Sequence, residues 1–328
     1  MAMIEFPDVH DALGKQAKMI VFGPSGIGKT YQVTRIPNVL ILDSELGTMS
    51  APAKALAAAR PNQIDDVFAS DKVKYPSFVI PISHPMEIER VARVFEKRAN
   101  RARFRSVVID SMTYLYDVIY RGDVRRNYSG DAVEIMQSED KTDVIRSLKS
   151  TGHQLAITRA IEAIELLRDV GCHMILTFHE GQKIAAGQEV VHPLLGGQSL
   201  LPKIEGLCDF AFHIEWRKRK TESGVVDAER VIRCQPNADI YIKNRGPHGE
   251  MLCELEPCDL NRILRIIETG AVPETLKGAE RGAVDVLSQK IDSKPDAIAE
   301  IVPAVPIVPI VTPAPTTEAL LTATAEKG

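Results

Sequence analysis

The stretch MIVFGPSGIGKT at residues 19–30 constrains this chain more than any other part of it. A short apolar run leads without a gap into GxxxxGK[ST], a pattern that requires a strand, a tight loop and then a helix. Glycines at 23, 26 and 28 let the backbone fold back so that its N–H groups converge, and a helix beginning near Lys29 adds a positive dipole end. Such a ring of donors suits phosphate oxygens. Gly23, Pro24, Ser25, Gly26, Ile27, Gly28, Lys29 and Thr30 are therefore the candidate cradle for a nucleotide. Lys29 is expected to reach the β- and γ-phosphates of ATP, and the Thr30 hydroxyl to ligate Mg²⁺.

A strand that carries such a loop has to be buried between neighbours, and the sequence supplies them. Apolar runs bounded by turn residues recur at 19–22, 39–42, 78–82, 107–109 and 174–178. Helix-length segments separate several of them, which predicts a mostly parallel sheet with crossover helices. Helical spacing marks 85–99, through Ile88, Val91, Ala92 and Phe95, and 154–170, through Ile157, Ile161, Ile164 and Leu167. After Gly197 the helices stop. Runs at 210–216, 229–234, 239–242 and 251–255 predict antiparallel strands along one edge of the sheet, and 259–269 a closing helix. The expected fold is thus α/β, with a core over 1–270 and a tail over 271–328 whose Pro-, Ala- and Val-rich end disfavours regular structure. A short amphipathic helix is expected at 280–291 within that tail.

Composition narrows the class further. With 45% hydrophobic and 26% charged residues, the chain can bury a sizeable core. A formal net charge of -4 argues against coating nucleic acid by bulk electrostatics, so any such contact has to be local. Cys172, Cys208, Cys234, Cys253 and Cys258 form no CxxC pair and read as reduced thiols. There is no apolar signal stretch and no run of about 18 apolar residues, so a cytoplasmic protein without membrane association is expected.

Three polar strand ends complete the candidate chemistry. SVVIDS at 106–111 places Asp110 after a buried strand, where a second Mg²⁺ ligand belongs. VLILDSE at 39–45 offers Glu45 as the base or positioner of an attacking water, although a solvated turn acid fits the same residues. MILTFHE at 174–180 offers His179 as a group that could sense a γ-phosphate, with an ordinary surface histidine as the alternative.

In this order GPSGIGKT, LDSE, VVIDS, ILTFHE and LGGQSL resemble the RecA-like P-loop NTPase core, over roughly residues 15 to 256. More narrowly, the set resembles the small RecA-like ATPases that phages encode for single-strand annealing and recombination. The resemblance implies that Glu45 is the catalytic base and that His179 stands where RecA itself has a glutamine. It implies two DNA-binding loops, at 121–152 with Arg121, Arg125, Arg126 and Tyr128, and at 181–197 with Lys183, Gly196 and Gly197. Basic residues beside an aromatic suit a single strand. It also implies that Lys243 and Arg245, in IYIKNRG at 240–246, reach the ATP of a neighbouring subunit, so that Lys29, Glu45, Asp110, His179, Lys243 and Arg245 form the catalytic set of a ring or filament.

The partners implied are single-stranded DNA, further copies of the chain and, as a further candidate, a separate single-strand-binding protein, in a host cytoplasm if the source is a phage. The basic runs at 97–105 and 216–220 read as solvated faces, with DNA recruitment a minor alternative. A helicase-related or protein-remodelling ATPase shares these motifs, and so does a nucleotide-dependent binding module without hydrolysis. A small-molecule kinase fits least, because no Arg-rich lid separates the motifs.

Overall fold

The computed structural model describes residues 16–50, 56–58, 77–96, 104–137, 144–185, 187–196, 199–220, 226–246 and 248–271. The expected tail beyond 271, the helix expected at 280–291, Gly197 and most of the 97–105 run lie outside them.

In chain order the elements begin with β1 (Lys18–Gly23), α1 (Lys29–Thr34), β2 (Val39–Asp43), β3 (Leu56–Ala58), β4 (Ser77–Pro81), α2 (Pro85–Glu96) and β5 (Ser106–Asp110). A helical run follows, made of α3 (Met112–Tyr114), a π-helical turn (Leu115–Tyr120) and α4 (Arg121–Asn127). Then come β6 (Val133–Gln137), β7 (Val144–Leu148), α5 (Ser150–Arg168), β8 (His173–Ala185), β9 (Gln188–Pro193) and α6 (Leu200–Leu207). The last are β10 (Phe210–Lys220), β11 (Val226–Arg233), β12 (Lys243–Asn244), β13 (Leu255–Pro257) and α7 (Leu260–Thr269).

The main sheet runs β13-β11-β10-β1-β8-β5-β2-β4-β3. From β10 to β3 every neighbouring pair is parallel, whereas β11, β12 and β13 join antiparallel at one edge. This is the mixed α/β architecture that the motif order implies. Alternation along each parallel strand sends side chains to two separate cores, which is why these strands read as continuous apolar runs. Ile20, Phe22, Leu40, Leu42, Ile109 and Leu176 face one core, packed with residues of α2 and α5. Met19, Val21, Ile41, Val108 and Ile175 face the other, packed with α1 and α7.

The closing helix α7 shows how local signals and packing agree. The Asp259 side chain accepts from the N–H groups of Asn261 and Arg262, Gly270 ends the helix at φ 64°, and Leu260, Ile263, Leu264, Ile266 and Ile267 are buried. Each such side chain contributes roughly 1.5–3 kcal/mol through its burial.

Four expectations change. The segment 239–242 does not pair within the edge ribbon: Val191 of β9 donates to the Asp239 carbonyl and accepts from the Tyr241 N–H, and only Lys243–Asn244 joins β10. The strand expected at 251–255 starts later, at Leu255, because Gly249–Met251 is a 3-10 turn and the Cys253 N–H is taken by the Glu256 carboxylate at 2.8 Å. The segments expected as loops at 121–152 and 181–197 both contain hairpins. The first holds α4 and the β6–β7 hairpin, and in the second β8 runs on to Ala185 and returns as β9. Gly187, at φ 81°, supplies the positive φ that the tight turn between Ala185 and Gln188 requires. Cys172, Cys208 and Cys234 are buried thiols, while Cys253 is exposed.

Candidate functional site

The loop between β1 and α1 lies at the carboxyl end of the parallel strands, the side on which open α/β sheets hold ligands. Gly26 and Gly28 adopt φ of 76° and 96°, a region that a side chain strains, and Ile27 is a buried peg that anchors the turn. Gly23 is needed for a different reason: a Cβ there would sit 2.6 Å from the Ile214 carbonyl oxygen. Lys29 is nearly buried and donates to the carbonyls of Gly23 and Pro24, both at 2.8 Å. Burial lowers its pKa, while Asp110, Glu45 and Glu180 act in the opposite sense. Because α1 is only six residues long, its dipole adds little to the charge of Lys29.

Asp110 ends β5 one strand beyond β8, and its two oxygens are divided. Thr30 Oγ1 donates to Oδ2 at 2.7 Å, and Thr177 Oγ1 of β8 donates to Oδ1. Burial raises the pKa of this carboxyl group, against the effect of both hydroxyls. A hydroxyl and a carboxylate already in contact form a hard-oxygen pair that suits Mg²⁺, so the residues present fit that ion. Among the described residues no cluster of three His, Cys, Asp or Glu side chains forms a separate metal site.

The turn after β2 is held by Asp43, which accepts from the N–H groups of Glu45, Gly47 and Thr48 and from the Thr48 hydroxyl. Ser44 laces this turn to the end of β5: its hydroxyl donates to the Ser111 carbonyl at 2.8 Å and accepts from the Ser111 N–H at 3.0 Å. Glu45 is thereby brought to Ser111 and His179. The Ser111 hydroxyl donates to Glu45 Oε1, and His179 Nε2 lies 2.9 Å from the same oxygen. The His179 hydrogen bond, followed by that from Ser111, lowers the Glu45 pKa despite partial burial. Glu45 is consequently an oriented carboxylate at neutral pH.

His179 is level with Gly23 in the register of β8 against β1, and the β8–β9 hairpin grows directly from it. Its backbone is clamped: the N–H donates to Thr113 Oγ1, the carbonyl accepts from Leu194 N–H at 2.7 Å, and Thr113 Oγ1 donates to the Leu194 carbonyl. A movement at Glu45 therefore has a short hydrogen-bonded route to the hairpin root. Ser111, Thr113 and Thr177 were not among the candidates read from the sequence. The only available signal was a hydroxyl within or just after an otherwise apolar strand.

The remaining candidates fall in two groups. Arg121 donates to Asp117 at 3.0 Å, Arg125 is half-buried, Arg126 is exposed and Tyr128 is 37% exposed. Lys183 is exposed on the β8–β9 hairpin. Gly196 connects the two candidate segments, because a Cβ there would collide with the Asp117 carboxylate that holds Arg121. Lys243 and Arg245 lie elsewhere. The partners of β12 on β10, Phe210 and Ala211, register with Met19 and Ile20, towards the start of β1 and away from its phosphate loop. Lys243 donates to the carbonyls of Glu205 and Cys208 at the end of α6, while Arg245 is exposed. Both line a cleft of about 430 Å3, together with Tyr241 and Asn244, which is separate from the phosphate site of the same chain.

The sheet order, the glycine loop and the Thr30–Asp110 pair together define a P-loop NTPase. The sequence profile of the family described as AAA_24, an AAA domain, matches residues 15–246, and the chain belongs to that family. Among solved structures it is similar to the genome packaging NTPase B204 from Sulfolobus turreted icosahedral virus 2, determined in complex with ATP-gammaS. The identity is 12%, the alignment covers 70% of this chain and 96% of that one, and the TM-score is 0.32. It is also similar to the flagellar accessory protein FlaH from Methanocaldococcus jannaschii, at 12% identity, with 70% and 84% of the two chains covered and a TM-score of 0.32. No curated protein matches the sequence. Among the described residues no helix is long and apolar enough to cross a membrane.

Proposed function

We propose that this protein hydrolyses Mg²⁺-ATP and, as a homo-oligomer, uses the cycle to act on single-stranded DNA in phage-type annealing or recombination. The observation that carries the hydrolytic half is Glu45. It is held as a carboxylate by His179 and Ser111, and it lies close enough to Lys29 and Asp110 to affect their ionisation. In this reading the loop amides and Lys29 hold the phosphates, and Glu45 accepts a proton from the attacking water. Thr30 and Asp110 would hold Mg²⁺, which would neutralise charge on the phosphate oxygens. His179 loses or changes its hydrogen bond as Glu45 is protonated, and the Thr113–Leu194 clamp passes that change to the hairpin.

The DNA half is supported by where the cations lie. Arg121, Arg125 and Arg126 lie on the helical run that leaves Asp110, with Tyr128 just after it, and Lys183 lies on the hairpin that leaves His179. Both segments thus start from residues of the phosphate site. Gly196, packed on Asp117, brings them together. Lys243 and Arg245, remote from the phosphate loop of their own chain, are assigned to face the site of a neighbouring copy. Arg245 is the freer of the two to do so, since Lys243 already closes the end of α6.

The test is the rate of phosphate release with and without single-stranded DNA, measured together with the mass of the species formed. DNA-stimulated turnover by a multimer is expected. Turnover indifferent to every nucleic acid tried removes the DNA half, and unwinding of a duplex moves the assignment to a helicase-related motor. Nucleotide binding without any turnover leaves a binding module.

A further inference from the structure

The flank of the phosphate loop that faces away from Asp110 carries a cluster that the mechanism above does not use. Arg230 of β11 reaches across to the loop, with Nη1 3.4 Å from the Ile27 carbonyl oxygen and 2.5 Å from where a Cβ on Gly28 would stand. Its guanidinium lies 5.9 Å from the ring centre of Tyr31 and 5.7 Å from that of Trp216, its cross-strand partner on β10. Arg35 lies 5.6 Å from the Tyr31 ring. Tyr31 is 36% exposed and Trp216 59% exposed, so these rings keep open surface beside the loop.

A cross-strand cation–π pair would explain Trp216 and Arg230 as simple ribbon stabilisation. It does not explain why the same guanidinium also contacts a phosphate-loop carbonyl and the residue that immediately follows Thr30. The polarity of the bound phosphates does. Thr30 donates to Asp110, and Lys29 lies near enough to Asp110 and Glu45 for their charges to act on it, which would set the γ-phosphate and metal end towards β5 and β2. The nucleoside, joined to the other end of the chain of phosphates, would then leave on the β10–β11 side. Aromatic rings and a guanidinium plane are what a heterocyclic base stacks on.

We propose that Tyr31, Arg230 and Trp216 form the platform that receives the base of the nucleotide, and that it favours purines because their larger faces cover more of it. This rests on the phosphate-loop reading given above. Stacking is tolerant of substituents, so adenine and guanine are both accepted and pyrimidines bind more weakly.

Trp216 is the chain's only tryptophan, so its emission reports on the platform without a label. The full chain is titrated with ATP, GTP, CTP and inorganic tripolyphosphate, each with Mg²⁺, by emission and by calorimetry. ATP and GTP are expected to shift the emission and to bind more tightly than CTP, while tripolyphosphate binds with little change in emission. Arg230→Ala and Tyr31→Ala are expected to weaken ATP by about tenfold while leaving tripolyphosphate within about twofold. Circular dichroism confirms that both variants fold, and Arg230→Lys, which keeps charge but not the plane, provides a milder variant expected to fall between. Calorimetric binding of ATP with silent Trp216 emission overturns the platform and leaves the phosphate site standing. So does equal weakening of ATP and tripolyphosphate in the variants. If neither ATP nor tripolyphosphate binds the unaltered chain, the phosphate-loop reading itself falls and the platform falls with it.

Discussion

The parallel half of the sheet and the β10–β13 ribbon handle polar groups in opposite ways. In β1, β2, β5 and the first half of β8, up to Phe178, the strand interiors are buried on both faces, so ionisable side chains occur only where these buried stretches end, as Asp43 and Asp110 do. The ribbon carries them along its length: Glu215 with Arg233, and Arg230 opposite Trp216. A strand covered on both sides has no room for an unpaired charge, whereas a ribbon at an edge keeps one face wet. The chemistry therefore collects at one end of the parallel strands, and the ribbon can contribute only side chains long enough to reach it, such as Arg230.

That contrast can be broken most directly at Lys29. Lys29→Ala is expected to lower turnover by roughly 10²–10³-fold or more, with the chain still folded. Phosphate release and a thermal melt read the two quantities, and a comparable loss on removing a ribbon cation would erase the distinction. Next in size is Glu45→Gln, expected to cost about 10²–10⁴-fold in turnover while nucleotide affinity by calorimetry is retained. His179→Ala sharpens the same point through pH. His179 and Ser111 hold the Glu45 pKa down, so losing His179 raises it, and the acid limb of the pH–rate profile moves to higher pH. An unmoved limb would mean that Glu45 is not the group that titrates.

Two smaller effects concern stability. Gly196→Ala is expected to destabilise the fold by about 1–3 kcal/mol, because the new methyl group displaces the Asp117 carboxylate that holds Arg121. Chemical denaturation measures it. In the ribbon, Arg233→Ala is expected to cost about 1 kcal/mol or less at neutral pH. The His213 ring, 3.4 Å away, and then the hydrogen bond from Arg233 hold the Glu215 pKa at about 2. A carboxylate with a depressed pKa stabilises the fold above its unfolded pKa of about 4.3, and that contribution is lost as the pH falls towards the folded value. The decline of stability over that acid window should be shallower in Arg233→Ala than in the unaltered chain.

Much of the site was legible because its parts are local. Eight contiguous residues describe the phosphate loop, and a carboxylate after an apolar run describes Asp110. The hairpin extending β8 was not legible: beyond His179 the alternation weakens, and the segment reads as a polar loop until its pairing with β9 is seen. The strand expected at 239–242 failed for a related reason. Its apolar residues suit a ribbon, but its backbone groups find Val191 first.

The amino-acid sequence alone determined the class of fold, the place of the glycine loop after β1 and which carboxylates end buried strands. Each depends on backbone stereochemistry or hydrophobic period within a few consecutive residues. Only the tertiary structure decided that His179 meets Glu45 across 134 residues and that Arg230 meets the phosphate loop across 203. Those contacts follow from strand order and register, which the packing of the whole sheet selects and no short stretch of sequence records.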